Sequence, residues 1–158
     1  MRLTELLTAE QIHVRHGPPN GPAIDKSAVL HNLAAMLAAS GHVEPTLVER
    51  VLCEREQLQS TGIGEGVAIP HGALANLETQ HACLLVVPEG VEFAAIDGQR
   101  VTIFFAVIGP KRATGEHLKT LARVSRVLRN RAFRDRLIAV SGPDEAYALI
   151  STEDTERR

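Results

Sequence analysis

Two stretches of the chain carry apolar side chains almost without interruption: HACLLVV at 81–87 and VTIFFAVIG at 101–109. Runs this short, and this rich in Val, Ile and Phe, read as strands covered on both faces. VAIP at 67–70 is a third strand candidate, and Ile12 to Val14 a brief extended segment. The turn-rich PEGVEFAAIDGQR between the long runs leaves room for a short strand near Val91 to Ala94. Elsewhere the apolar positions recur every three or four residues, as on one face of a helix. Leu30, Leu33, Ala34 and Leu37 form such a stripe, with Asp25 placed to cap it and Gly41 to close it. Pro45 suits the first position of a second helix with the stripe Leu47, Val48, Val51 and Leu52. Off that stripe, Arg50 and Glu54 have the i, i+4 spacing of an exposed ion pair.

From Thr114 onward the pattern is helical again. Leu118, Leu121, Ala122, Ser125 and Leu128 make its stripe, while Lys119, Arg123 and Arg126 gather on another face and read as solvated. RAFRDRLIAV at 131–140 and PDEAYALIS at 143–151 are two shorter helices, and Leu3 to Leu7 a helical turn. RHGPPNGP at 15–22 and QSTGIGEG at 59–66 are loops by their glycine, proline and small residues. Helices before and after strands buried on both faces imply an α/β domain with a helical layer on each side of the sheet.

A chain of 158 residues is long enough for one domain with a real core. Residues 1–152 are expected to form it, with 153–158 as a charged C-terminal tail that frays. With 3% aromatic residues the core must be aliphatic. The formal charge of −2 provides no field to recruit nucleic acid, and no aromatic residues alternate with basic ones to stack on bases. The apolar stretches fall short of the ~18 residues a membrane span needs, and the N-terminus lacks a signal peptide's pattern, so a cytoplasmic protein without direct membrane insertion is expected. Cys53 and Cys83 stand apart beside apolar neighbours, as buried thiols do.

Seven histidines raise the question of a metal. None forms HExxH or another short ligand pair, no carboxylate has ligand spacing from His71, and CxxC is absent, so neither a metal nor another cofactor is expected. Ser60 is not in a GxSxG elbow and neither cysteine has a nucleophile context, which argues against a hydrolase. Three other residues invite chemistry. His71 follows Pro70 at the end of an apolar extended segment, where it is either a structural histidine or one presented to a cleft. His117 falls in the first turn of the helix at TGEH, where free N–H groups and the helix dipole favour an anion. Arg55 continues the stripe of its helix and points inward, toward an internal carboxylate, backbone carbonyls or an anion. If the fold brings them together, two histidines, an arginine and a helix N-terminus make a site for a dianion. A histidine that carries a phosphoryl group needs such a site: one ring nitrogen held as a donor, the other left with its lone pair, and positive groups matched to the phosphoryl oxygens.

EREQLQSTGIGEGVAIPHG at 54–72, with GPKRATGEHLKTLARVSRVLRNRAFRDRL at 109–137, resembles the enzyme IIA family of the phosphoenolpyruvate-dependent phosphotransferase system, fructose/mannitol class. The similarity runs from LTELLTAEQI to DEAYALIS and is greatest to the nitrogen-regulatory branch and to fructose enzyme IIA. The resemblance implies a three-layer α/β/α sandwich with a mixed central sheet. It implies that His71 accepts a phosphoryl group through Nε2 from an HPr-type phosphocarrier, while Arg55 and His117 hold that group and compensate its charge. It further implies either a regulatory role toward partner proteins or transfer to a separate enzyme IIB for a sugar; a binding module that never carries phosphate is the third reading. Two departures stand out: RHGPPNGPAID is longer than the usual link before the first long helix, and Gly72 occupies a position where many members of the nitrogen-regulatory branch have alanine.

Overall fold

The computed structural model describes residues 2–17 and 24–156. In chain order, two 3-10 turns (Leu3–Glu5 and Ala9–Gln11) precede β1 (Ile12–Val14), α1 (Lys26–Gly41), α2 (Pro45–Leu58), β2 (Gly62–Gly64), β3 (Val67–Ala68) and β4 (His71–Leu74). Then come β5 (His81–Val91), β6 (Val101–Pro110), α3 (Thr114–Leu128), α4 (Arg131–Leu137) and α5 (Pro143–Glu156). The sheet order is β1-β5-β6-β3-β2, with β4 also on β6. β5 and β6 are its antiparallel centre; β1 joins β5 in parallel, β3 and β4 join β6 in parallel, and β2 closes the edge antiparallel to β3.

The long apolar runs are continuous because both faces of the central strands are covered. Cys83, Leu85 and Val87 of β5, with Phe104, Ala106 and Ile108 of β6, pack under α1 and α2. The alternate residues Ala82, Leu84, Val86, Ile103, Phe105 and Val107 pack under α3, α4, α5 and the N-terminal leucines Leu3 and Leu7. This is the expected three-layer sandwich with a mixed sheet. No helix among the described residues is long and apolar enough to cross a membrane.

Several local expectations are corrected. Asp25 does cap α1, accepting from the Ala28 N–H at 2.8 Å, but the left-handed residue beyond its end is His42 (φ 54°), not Gly41. Gly41 lies under the His81 ring, where a Cβ would stand 3.4 Å from its Cδ2. Arg50 and Glu54 do not pair; instead Glu56 of α2 forms an ion pair with Lys26, and Glu49 is hydrogen-bonded to His31 Nδ1. The separate strand near Val91 to Ala94 is absent, since β5 runs on through Pro88 to Val91 across a register irregularity. Part of the 59–66 loop is strand β2. The 15–22 loop lies, from residue 18 onward, outside the described residues.

α3 is rotated relative to its expected stripe. Thr120, Val124, Val127 and Leu128 are buried, whereas Leu118 is 60% exposed and Ala122 faces out. The same rotation draws Arg123 inward, where its guanidinium pairs with Asp154 at 2.7 Å. Asp154 also accepts the Leu3 N–H at 2.7 Å. The chain from residue 153 is therefore not a frayed tail: α5 continues to Glu156, and Glu153 and Asp154 are buried.

Candidate functional site

β3 and β4 lie end to end along one side of β6, with Ala68 opposite Phe104 and His71 opposite Val107. The residues between them, Ile69 and Pro70, step out of the ladder. Pro70 has no N–H to give, and its carbonyl accepts the Val107 N–H at 3.0 Å. Ile69 turns its N–H to the Thr61 carbonyl at 3.0 Å. Its own carbonyl accepts a bond of 2.7 Å from His71 Nδ1. His71 thus opens a strand after a break, rather than closing one.

A carbonyl can only accept, so this bond assigns the tautomer: Nδ1 carries the proton and Nε2 keeps the lone pair. Burial pushes the His71 pKa below the ordinary histidine range and the charge of Arg55 adds to that, against the opposing pull of the Ile69 bond and the Glu56 carboxylate. The ring is a neutral base near pH 7.

His117 flanks it from the first turn of α3, ring centroids 5.6 Å apart and planes tilted by 51°. Its Nδ1 is buried with no hydrogen-bond partner among the described residues, against Gly109, where a Cβ would come within 3.2 Å. Burial, and then the neighbouring His71, lower its pKa as well. Arg55, in the last turn of α2, donates from Nη1 to the Gln59 carbonyl at 2.7 Å. Of the alternatives open from sequence it takes a carbonyl, at its own helix end. It also lines, with Thr61, Ile69, His71, Leu121 and Ser125, an open depression of about 400 Å³. The three predicted residues are gathered around one surface, His117 beside His71 and Arg55 across the depression. Among the described residues, no three His, Cys, Asp or Glu side chains gather as metal ligands.

Sequence reasoning passed over Glu56, which is 6% exposed and holds both the N–H (2.9 Å) and the hydroxyl of Thr61. The signal was available, because Glu56 follows Val48 and Leu52 at i+8 and i+4 on the buried face of α2. A carboxylate on an apolar stripe has to be paired.

The sequence model for the family described as phosphoenolpyruvate-dependent sugar phosphotransferase system, EIIA 2, matches residues 7–153, and the chain belongs to that family. Within it, the chain is 33% identical over 151 residues to a nitrogen regulatory protein of Bradyrhizobium diazoefficiens, covering 96% of this chain and 95% of that one. It is 28% identical to the fructose-specific EIIABC component of Bacillus subtilis, matching 98% of this chain but 24% of that longer protein. Among solved structures, the nitrogen regulatory protein IIA-Ntr of Neisseria meningitidis superposes with a TM-score of 0.84 at 30% identity, covering 94% of this chain and 98% of that one. IIA mannitol of Escherichia coli shares the fold, with a TM-score of 0.74 at 24% identity over 91% of this chain and 98% of that one.

Proposed function

We propose that this chain is a cytoplasmic histidine phosphocarrier of regulatory, nitrogen-regulatory type, phosphorylated on His71 Nε2 by an HPr-type phosphocarrier. The observation that carries the reading is the His71 Nδ1 bond to the Ile69 carbonyl, which leaves Nε2 unprotonated beside the depression. In the transfer, the Nε2 lone pair attacks phosphorus, the donor's N–P bond breaks, and its electron pair returns to the donor ring. His71 keeps its Nδ1 proton throughout, so the phosphorylated ring is cationic and its charge lies against the Ile69 carbonyl. Arg55 and His117 stand on two sides of the incoming group, and their roles are to hold its oxygens and compensate their charge. The same neutral His117 becomes protonated more readily once a dianion sits beside it.

The surroundings favour a protein as donor and acceptor. Leu58 (84% exposed) and Leu118 (60%) sit on the two flanking helices, and Ile63 (45%) and Ile96 (65%) on the wall of the depression. Exposed apolar side chains on the depression, and on the two helices that carry Arg55 and His117, are contact residues for a macromolecular face. The regulatory branch is favoured over transport because nitrogen regulatory proteins match at 33% and 31% identity, against 28% for the fructose-specific component.

The test is incubation with phosphoenolpyruvate, enzyme I and either a sugar-branch or a nitrogen-branch phosphocarrier, followed by intact mass. A phosphate adduct, absent in His71→Ala and formed faster with the nitrogen-branch carrier, is expected. An adduct that persists in His71→Ala would sink the assignment. Faster charging by the sugar-branch carrier, with onward transfer to a fructose or mannitol enzyme IIB, would move the protein to the transport branch. Arg55→Ala is expected to slow charging by about 10- to 1,000-fold, and His117→Ala to slow onward transfer more than charging.

A further inference from the structure

A carboxylate outside the depression is linked to the His71 ring through hydrogen bonds of Thr61 and Ile69. Glu56, on the buried face of α2, accepts the Thr61 N–H at 2.9 Å and the Thr61 hydroxyl on the same Oε1. Its Oε2 lies 2.8 Å from Lys26 Nζ, an ion pair off the angle of a well-formed hydrogen bond. Lys26 is itself held over the Phe93 ring, 4.7 Å from the centroid. The carboxylate is thus fixed from α1 and fixes, in turn, Thr61, the third residue after the end of α2. Burial would push its pKa up, but the Lys26 ammonium and the Thr61 hydrogen bonds outweigh that and hold it below the ordinary range.

Thr61 then passes the constraint on. Its carbonyl takes the Ile69 N–H at 3.0 Å, and the Ile69 carbonyl takes the His71 Nδ1 proton at 2.7 Å. Ile69 lies outside the β3 and β4 ladders, so its N–H has no strand partner on β6 and depends on Thr61 for its place. Pro70 contributes no donor that could substitute. We propose that Glu56 is a positioning residue for phosphoryl transfer: through Thr61 and Ile69 it fixes the carbonyl that selects the Nδ1–H tautomer of His71 and so exposes Nε2 to the donor. The inference rests on the phosphocarrier reading for its purpose, but the relay itself is a property of the unphosphorylated protein. It differs from a purely structural role because its output is the location of one proton.

The proton can be read directly. In the unphosphorylated protein, long-range proton–nitrogen correlation reports which ring nitrogen of His71 is protonated, without any carrier present. The parent is expected to show Nδ1–H almost exclusively. Glu56→Ala is expected to shift the ring to a mixture of tautomers and to slow charging about 10- to 100-fold. Glu56→Gln, whose amide oxygen still accepts from Thr61, is expected to keep the parent tautomer and most of the rate. A folded Glu56→Ala protein with the parent tautomer overturns the relay, as does a Glu56→Gln protein that loses the tautomer as fully as Glu56→Ala. Should Glu56→Ala not fold, Thr61→Val decides: it removes the hydroxyl bond alone, and a partial shift toward Nε2–H supports the relay while an unmoved tautomer overturns it. If the protein proves not to accept phosphate at all, the phosphocarrier reading fails while the tautomer experiment still gives its answer.

Discussion

The rings of His71 and His117 face each other across 5.6 Å, and each is deprived of water by the same packing. Both are therefore harder to protonate than a free histidine, whose pKa is about 6.5. On the proposed phosphocarrier reading the reactive form of His71 is the neutral one, so the acid limb of the charging rate is expected below that ordinary value. A limb at or above it would contradict the desolvated site. The sign for stability follows from the same shifts. Folded-state pKa values below the unfolded ones mean that the unfolded chain binds more protons in the interval between, so the contribution to stability is present above about pH 6.5 and lost as pH falls through the folded values. Urea midpoints are expected to drop on acidification, and His117→Asn to flatten that dependence.

Gly109 supplies the room in which His117 sits. A Cβ there would stand 3.2 Å from His117 Nδ1 and 3.3 Å from Gln80 Cγ, closer than side chains comfortably approach. Gly109→Ala is expected to push the second ring out of place while β6 remains paired. Onward transfer from phosphorylated His71 should fall by about tenfold or more, since displacements of this size at a reacting centre carry such costs. Unchanged transfer in a folded variant would show that the ring position does not matter.

Gly72 and Val51 are a matched pair. α2 passes so close to β4 that a Cβ on residue 72 would collide with Val51 Cγ1. The glycine that follows His71 is thus accounted for by its neighbour across the interface of α2 and β4. Gly72→Ala alone is expected to destabilise by about 1–3 kcal/mol, as overpacking does. Adding Val51→Ala should recover much of that, giving a coupling of about 0.5–3 kcal/mol in a double-mutant cycle by urea unfolding. Strict additivity would rule the collision out.

How much of this was legible follows from what each element buries. β5 and β6 could be read because both their faces are covered, so that Thr102 alone breaks the apolar run from Val101 to Ile108; α1 and the opening of α2 could be read because apolar residues recur every three or four positions. α3 misled because apolar residues occur on two of its faces. Thr120 and Val124 face the core, while Leu118 and Ala122 lie on the outer side, where Ala122 lines the depression. Periodicity cannot distinguish a core face from a contact face. β2 was hidden by glycine, which has little strand propensity but is required where Ala95 approaches so closely that a Cβ on Gly62 would come within 2.7 Å. Of the site, His71, His117 and Arg55 could be singled out by residue type and resemblance. The Ile69 carbonyl that assigns the tautomer could not, because a backbone group leaves no mark in the sequence.

The C-terminus is the place where composition was most misleading, and it supports a last prediction. TEDTERR has the charge pattern of a solvated tail, yet Asp154 is 1% exposed and closes three parts of the molecule together. It accepts from Arg123 Nε of α3 at 2.8 Å and from the Leu3 N–H at 2.7 Å, while its backbone carbonyl takes a second guanidinium nitrogen at 2.8 Å. Asp154→Ala leaves the Arg123 charge, whose side chain is 14% exposed, without its partner, and strands the Leu3 N–H. Removing one partner of a buried pair costs about 3 kcal/mol. Deleting residues 153–158 removes the same carboxylate along with the buried Glu153 and should cost at least as much. Urea denaturation of both variants checks this: a midpoint equal to the parent's in the deletion would restore the tail to a passive role. Because the anchor lies on the α3–α5 side of the sheet and the Glu56 relay on the α1–α2 side, Asp154→Ala is expected to lower stability while leaving the His71 tautomer unmoved.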